Sequence, residues 1–424
     1  MSSSPIRHCP TLSLTRQLRV HERLRAAAVM VGGLCLSATV WAHGEADDVL
    51  PAEAGVSVDA AIALRTLRAD QPLPSEPLNG YLLLGDAGHD LRKEPLEHAA
   101  LGLSARFNDT WGARLAVGQH ASDDVHVEAA WLQARHDGDD AAWLLTFGRQ
   151  RPALGPVLGA AGHLDRFGPV PLAQRMAVNG DWVDDGAQLS WRADRGARQW
   201  RADLALWRGQ AFPGAQHGAV APGLHLGLDQ GLWSIDGLWA QFRPDGRGSA
   251  IQPALGHSHN APICDSALRE VVCFRGRSDV LAASVRWQGA QSAQAWPITL
   301  SAAGWIRSET GTLESVNGLV DYRGRSTGGW LEALWQIHPR WELGWRGERL
   351  MADHAIDGAG ASLIMAETRL NVYQSATRQT LMLGMRASEQ VDVRVEAGRE
   401  SAAGVSVNFA ALRVLVKLQA LLSP

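Results

Sequence analysis

Lysine is nearly missing from this 424-residue chain. Of its 40 basic residues only Lys93 and Lys417 are lysines, and 44 acidic residues outnumber the basic set, for a formal charge of −4. With no basic excess there is no electrostatic footprint for nucleic acid. Long apolar runs are missing too. After residue 42 no stretch of 18 uninterrupted apolar residues occurs, which excludes a transmembrane helix there. No nucleophile elbow, HExxH or comparable motif is present, so neither an enzyme nor a cofactor is expected. No plug domain precedes the first strand-like segment, which argues against a gated, energy-coupled receptor. Cysteine is scarce (four), and tyrosine (three) and phenylalanine (seven) are few beside 17 tryptophans.

The N-terminus supplies the compartment. Arg16, Arg19, Arg23 and Arg25 precede an apolar run from Ala26 to Val40, and Val40 and Ala42 are small residues at the −3 and −1 positions of a cleavage site. This is the pattern of a secretory signal peptide, and the run is too short and glycine-interrupted for a permanent span. Residues 1–42 are therefore expected to be removed, leaving 43–424 as a single domain. They carry five arginines and one glutamate, so their loss takes the formal charge from −4 to about −8. They also carry Cys9 and Cys35. The remaining pair, Cys264 and Cys273, reads as a disulfide clipping an exported loop. A zinc site with His257 and His259 is the competing reading, although the spacing matches no standard zinc module.

The body repeats one pattern. Val391, Val393 and Val395 alternate with Asp392, Arg394 and Glu396; Leu412, Val414, Val416 and Leu418 alternate with Arg413, Leu415, Lys417 and Gln419; Trp341, Leu343 and Trp345 alternate with Glu342, Gly344 and Arg346. Period two places one set on each face of a strand. Eighteen such segments can be drawn, from 56–67 through 317–323, 328–337 and 361–373 to 405–422. Setting aside 222–229 and 317–323 leaves sixteen. The repeat of about ten residues suits a tilted strand crossing a bilayer.

Such a chain is either a soluble sheet protein or a membrane barrel. Charged residues on the polar face suit an aqueous lumen. Tryptophans at segment ends (Trp111, Trp191, Trp200, Trp296, Trp341) suit an interfacial girdle. The whole stretch follows an export signal without a domain break. The expected fold is all-β: a transmembrane antiparallel β-barrel of sixteen or eighteen strands.

One stretch breaks the rhythm. Between Phe147 and Trp191, Pro152, Pro156, Pro169 and Pro171 alternate with Gly155, Gly159, Gly162 and Gly168, which excludes a regular strand or long helix. A loop of this length inside a compact domain is usually functional. Its charges (Arg149, Arg151, Asp165, Arg166, Arg175, Asp181, Asp184 and Asp185) suggest that it lines something wet. A second long loop, 243–277, holds the cysteine pair.

The strand ending Phe147-Gly148-Arg149, the broken loop 148–185, and Asp184-Asp185-Gly186-Ala187-Gln188-Leu189-Ser190-Trp191 opening the next strand resemble the constriction region of Gram-negative outer-membrane porins. The likeness covers most of the mature chain at the level of class, not subfamily. It departs at the end, Leu422-Ser423-Pro424, where porins usually carry an aromatic residue. The resemblance implies a water-filled channel in the outer membrane for passive diffusion of small hydrophilic or ionic solutes. It also implies contact with outer-membrane lipid and a homotrimer. The eight charges above would then be the candidate constriction residues.

Two alternatives differ in kind. A metal-handling outer-membrane protein would use His43, exposed as the first residue after cleavage, with His163 near Asp165, and His257 with His259, as zinc or copper ligands. A soluble exported β-protein would instead bind sugars through its tryptophans.

Overall fold

Alternating Val, Leu and Trp with polar residues gives each strand one face for hydrocarbon and one for the interior, and only a closed sheet leaves no unpaired backbone edge between them. A computed structural model describes residues 50–74, 95–120, 124–160, 164–248, 264, 272–289, 297–368, 370–371 and 375–422. It contains seventeen strands: β1 (Gly55–Ala69), β2 (Leu96–Arg106), β3 (Trp111–Gln119), β4 (His126–Asp137), β5 (Ala142–Gln150), β6 (Asp184–Arg195), β7 (Arg198–Trp207), β8 (Ala221–Gln230), β9 (Trp233–Phe242), β10 (Asp245–Gly248), β11 (Cys273–Gln288), β12 (Ile298–Ser315), β13 (Gly318–His338), β14 (Trp341–Asp357), β15 (Ser375–Arg386), β16 (Val391–Ala402) and β17 (Val405–Leu422). Sixteen pair antiparallel with their neighbours into a barrel, which β1 closes against β17, Val56 opposite Leu422 and Ala69 opposite Phe409. The short β10 adds only to the upper end of β11, while β9 pairs with β11 directly. Sixteen strands is the smaller of the two expected numbers.

Two expectations are corrected. Segments 317–323 and 328–337 are one strand, β13, whose glycine-rich middle runs unbroken along both neighbours. Segment 361–373 is not a strand: Ala361–Thr368 is helical, and it buries Ile364 against Leu313, Val320 and Tyr322 on the extended ends of β12 and β13. Four adjacent apolar or small residues, Leu363 to Ala366, do not distinguish a strand from a buried helical turn. By contrast 222–229, one of the two segments set aside, is a full barrel strand, β8.

Outward positions are apolar and exposed, among them Leu204, Leu226, Leu331, Leu381 and Leu412. Inward positions of the wall include Arg346, Arg378, Glu396 and Arg413, all buried. That is the inverse of a soluble protein and suits a lipid-facing wall. Four connections at one rim are long (70–95, 151–183, 243–272, 358–374), and most at the other are short (107–110, 138–141, 196–197, 231–232). Outward tryptophans gather towards the short-turn rim: Trp111, Trp143, Trp200, Trp233 and Trp341 open or nearly open their strands there. Trp143 stands opposite Trp191, and Trp233 opposite Trp287. Trp296 lies outside the described residues.

Candidate functional site: the in-folded loop and the charged lumen

The described residues of the segment between β5 and β6, 151–160 and 164–183, turn back into the barrel. The loop contains two short helices, α1 (Gly155–Leu158) and α2 (Leu172–Val178). Prolines set their starts: Pro156 lies in the first turn of α1, and Pro171 is the residue before α2. Asn179, in the left-handed conformation with φ 58°, ends α2. Gly155 (φ +70°) passes so close to Asp236 of β9 that an added Cβ would collide with its carboxylate.

One face of this loop is apolar. Leu158, Leu172, Met176, Ala177 and Trp182 are fully buried against inward residues of the wall, including Trp207, Phe242, Trp305, Trp330 and Leu350. Each large side chain so buried contributes about 1.5–3 kcal/mol. The wall makes room with small residues: Ala303, Ala352 and Ala376 face the loop, and a Cβ on Gly328 would lie 2.9 Å from the Cβ of Ala173. Part of the upper lumen is therefore dry, where the loop's charge content had suggested a wet lining.

The loop's main chain is held by arginines and glutamates of the wall. Arg307 donates to the Met176 carbonyl at 2.6 Å and Arg378 to that of Val170 at 2.5 Å. Arg346 donates to the Pro169 carbonyl. Arg394 and Arg413 both donate to the Asp165 carbonyl, the latter at 3.1 Å. In the other direction, the Gly168 N–H donates to Glu396 and the Leu172 N–H to Glu348, each at 2.7 Å. Glu348 thus caps α2 while accepting from Arg346 (3.2 Å) and twice from Arg378 (both 2.9 Å). Arg378 also reaches Glu400, and Arg413 reaches Glu97. These groups are buried, and each charge is paired or hydrogen-bonded, as an interior requires. None was singled out from sequence. Their signal was parity: Arg346, Arg378, Arg394 and Arg413 share inward positions with other polar residues, but nothing local named a loop carbonyl as partner.

The eight candidate constriction charges separate. Arg166 lies at the turn of the loop, its side chain about half exposed, donating from Nε to both carboxylate oxygens of Glu342 at 3.0 and 3.1 Å. It is close enough to act electrostatically on Arg286 of β11, Arg394 of β16 and Lys417 of β17. Confinement would lower its pKa, but Glu342, Asp165 and Glu332 outweigh that and hold it above its ordinary value. The Arg166 charge is therefore permanent. Asp165 presents its carbonyl to the wall arginines. Arg151 pairs with Asp181 at 2.7 Å across the root of the loop. Arg175 is half-buried on α2. Asp184 is buried and accepts from the backbone N–H groups of Asp185 and Gly209, which fixes the start of the next long loop. Arg149 and Asp185 stand opposite each other in the β5–β6 ladder and pair at 2.9 and 3.2 Å. They share parity with Phe147 and Leu189, both exposed apolar residues of the outer face. This pair therefore lies on the outside of the wall, not in the lumen.

Cys264 and Cys273 stand 5.7 Å apart at Cα, in the range a disulfide spans. His43, His163, His257 and His259 lie outside the described residues. A different group of side chains comes together instead, where β2, β3 and β4 meet the long-loop rim: His98, His120, His126 and Glu128.

A second buried polar cluster lies on β6–β9. His225 bridges Asp203 (Nδ1, 2.7 Å) and Asp236 (Nε2, 3.2 Å). Arg192 donates to Asp203 at 3.0 Å, and Arg201 to Asp229 and Asp236.

Comparison with solved structures places this architecture. OmpTdeltaL8, a loop-deletion form of the Vibrio cholerae outer-membrane protein OmpT, superposes with a TM-score of 0.50 over 86% of this chain and 98% of its own, at 12% identity. The fold is that of an outer-membrane β-barrel. An anion-selective porin from Comamonas acidovorans matches with a TM-score of 0.49 at 10% identity, covering 86% of this chain and 100% of its own. The outer-membrane channel DcaP of Acinetobacter baumannii matches at 0.47 and 12%, covering 86% and 96%. No protein-family model and no curated protein sequence matches the chain.

Proposed function

We propose that the chain forms a water-filled channel in a Gram-negative outer membrane, through which small hydrophilic or ionic solutes diffuse passively. The observation that carries this reading is a loop held by its backbone inside a closed, outwardly apolar barrel, with a permanently charged arginine at its turn. Arg166, Arg286, Arg394 and Lys417 are the cationic members of the filter; Glu332, Glu342 and Asp392 are the acidic ones. Charges of both signs around a narrowed lumen orient dipolar solutes and set ion preference, and no catalysis or cofactor is involved.

The reading extends to export and assembly. Cleavage after Ala42, a disulfide between Cys264 and Cys273 and a homotrimer in lipid belong to it. N-terminal sequencing, the mass shift on reduction and alkylation, and light scattering in detergent check the three in turn.

The deciding experiment is single-channel conductance of folded, heat-modifiable protein in a planar bilayer under a salt gradient. Discrete steps with a defined reversal potential are expected. Folded protein that inserts without conducting would make this a closed barrel, and the diffusion reading would fall.

A further inference from the structure

We propose that His98, His120 and Glu128, joined by His126, form a binding site for a divalent transition-metal ion. The strands bring them together from three places: His98 from the start of β2, His120 from the residue after β3, and His126 and Glu128 from the start of β4. Register makes this unavoidable, because His126 lies opposite Gly118 and Ala99 opposite Gln119 in the two ladders concerned.

Three imidazoles converge on one carboxylate oxygen. His98 Nε2 stands 2.7 Å from Glu128 Oε1, His126 Nε2 3.8 Å and His120 Nε2 4.0 Å. The rings stack in a row, His98 on His120 at 4.7 Å between centroids and His120 on His126 at 5.0 Å. Donor atoms of His98, His120 and Glu128 all lie within 4.8 Å of one another. Donors around a tetrahedral ion at 2.0–2.1 Å are separated by roughly 3.3 Å. The separations of 2.7, 3.8 and 4.0 Å from Glu128 lie on either side of that value. His98, His120 and Glu128 are buried and His126 is partly exposed, so the ion would have a dry pocket with one accessible side.

The chemistry selects the ion. Imidazole nitrogens with one carboxylate suit zinc, cobalt, nickel or copper, whereas magnesium and calcium require mainly oxygen donors. Arg151 acts on Glu128 from the root of the loop and is itself paired with Asp181. The site uses none of the histidines singled out from sequence, and it stands whether or not the barrel conducts.

The test uses the full chain, folded in detergent, stripped with chelator, loaded with zinc and desalted. Wild type is expected to retain one equivalent of zinc more than the His98→Ala/His120→Ala double variant. Glu128→Gln keeps a hydrogen-bonding partner for His98 while removing the charged ligand, so it preserves the fold if the double variant does not. It is expected to lose the same equivalent. Cobalt loaded in place of zinc is expected to give visible ligand-field bands in wild type that Glu128→Gln lacks. Equal zinc retention by wild type and Glu128→Gln, or no retention by wild type, would overturn the site.

Discussion

The two buried charge clusters of the barrel use the same side chains to different ends. On β6–β9, Arg192, Arg201, Asp203, His225, Asp229 and Asp236 pair with one another. On β12–β17, Arg307, Arg346, Arg378 and Arg413 pair with Glu309, Glu348, Glu400 and Glu396, Arg394 pairs with Asp392, and all five then spend further donors on loop carbonyls. The first cluster braces a wall. The second braces a wall and seats a loop on it. The difference lies in geometry rather than composition: small residues such as Ala303, Ala352 and Gly328 let the loop backbone approach, and where the backbone approaches, arginine finds an acceptor.

Breaking the second cluster should do most harm. Glu348→Ala removes a partner shared by Arg346 and Arg378 and the cap of α2 together, leaving buried Arg346 without its nearest carboxylate and Arg378 with Glu400 alone. A loss of about 3–5 kcal/mol is expected, read as a lower denaturant midpoint in detergent, with the loop newly open to protease. Gly328→Val probes the other half of the arrangement. Its side chain would press on Ala173 and on the Arg349 carbonyl 2.7 Å away, costing about 1–3 kcal/mol, and the displaced loop should raise single-channel conductance. Arg166→Ala should separate seat from filter. The pair with Glu342 is partly exposed, so stability should move by less than about 1 kcal/mol while the reversal potential shifts toward cation preference. An unchanged potential would take Arg166 out of the filter. Smallest of all, Arg149→Ala combined with Asp185→Ala should leave the reversal potential unmoved, because that pair faces outward. A shift there would mean that strand parity has been misread.

The sequence made most of the barrel legible, because period two survives wherever one face must be apolar. It misled where glycine served two purposes. The break drawn between 317–323 and 328–337 falls beside the Gly328-Gly329 pair, yet β13 runs on unbroken and Gly328 is where it leaves room for Ala173 of α2. Residues 361–373 misled for another reason: a short apolar run carries no period that tells a helical turn from a strand. The candidate site was half legible. A proline- and glycine-rich stretch full of charge marked the loop, and Arg166 was among its named residues. Parity alone already placed Arg149 beside Phe147 on the outer face. The wall arginines and the histidine cluster were unreadable for a different reason: each is a meeting of residues from separate strands, and only register says which residues meet.

The tryptophans at the short-turn rim have a mechanical consequence. Indole rings prefer the boundary between hydrocarbon and headgroups, so in a bilayer those of the short-turn rim moor the barrel at that leaflet. A thicker or thinner membrane would then be accommodated at the other rim, where strands β12–β14 run on past the hydrocarbon and the long connections begin. The depth at which this molecule floats is set below, and the slack is taken up above.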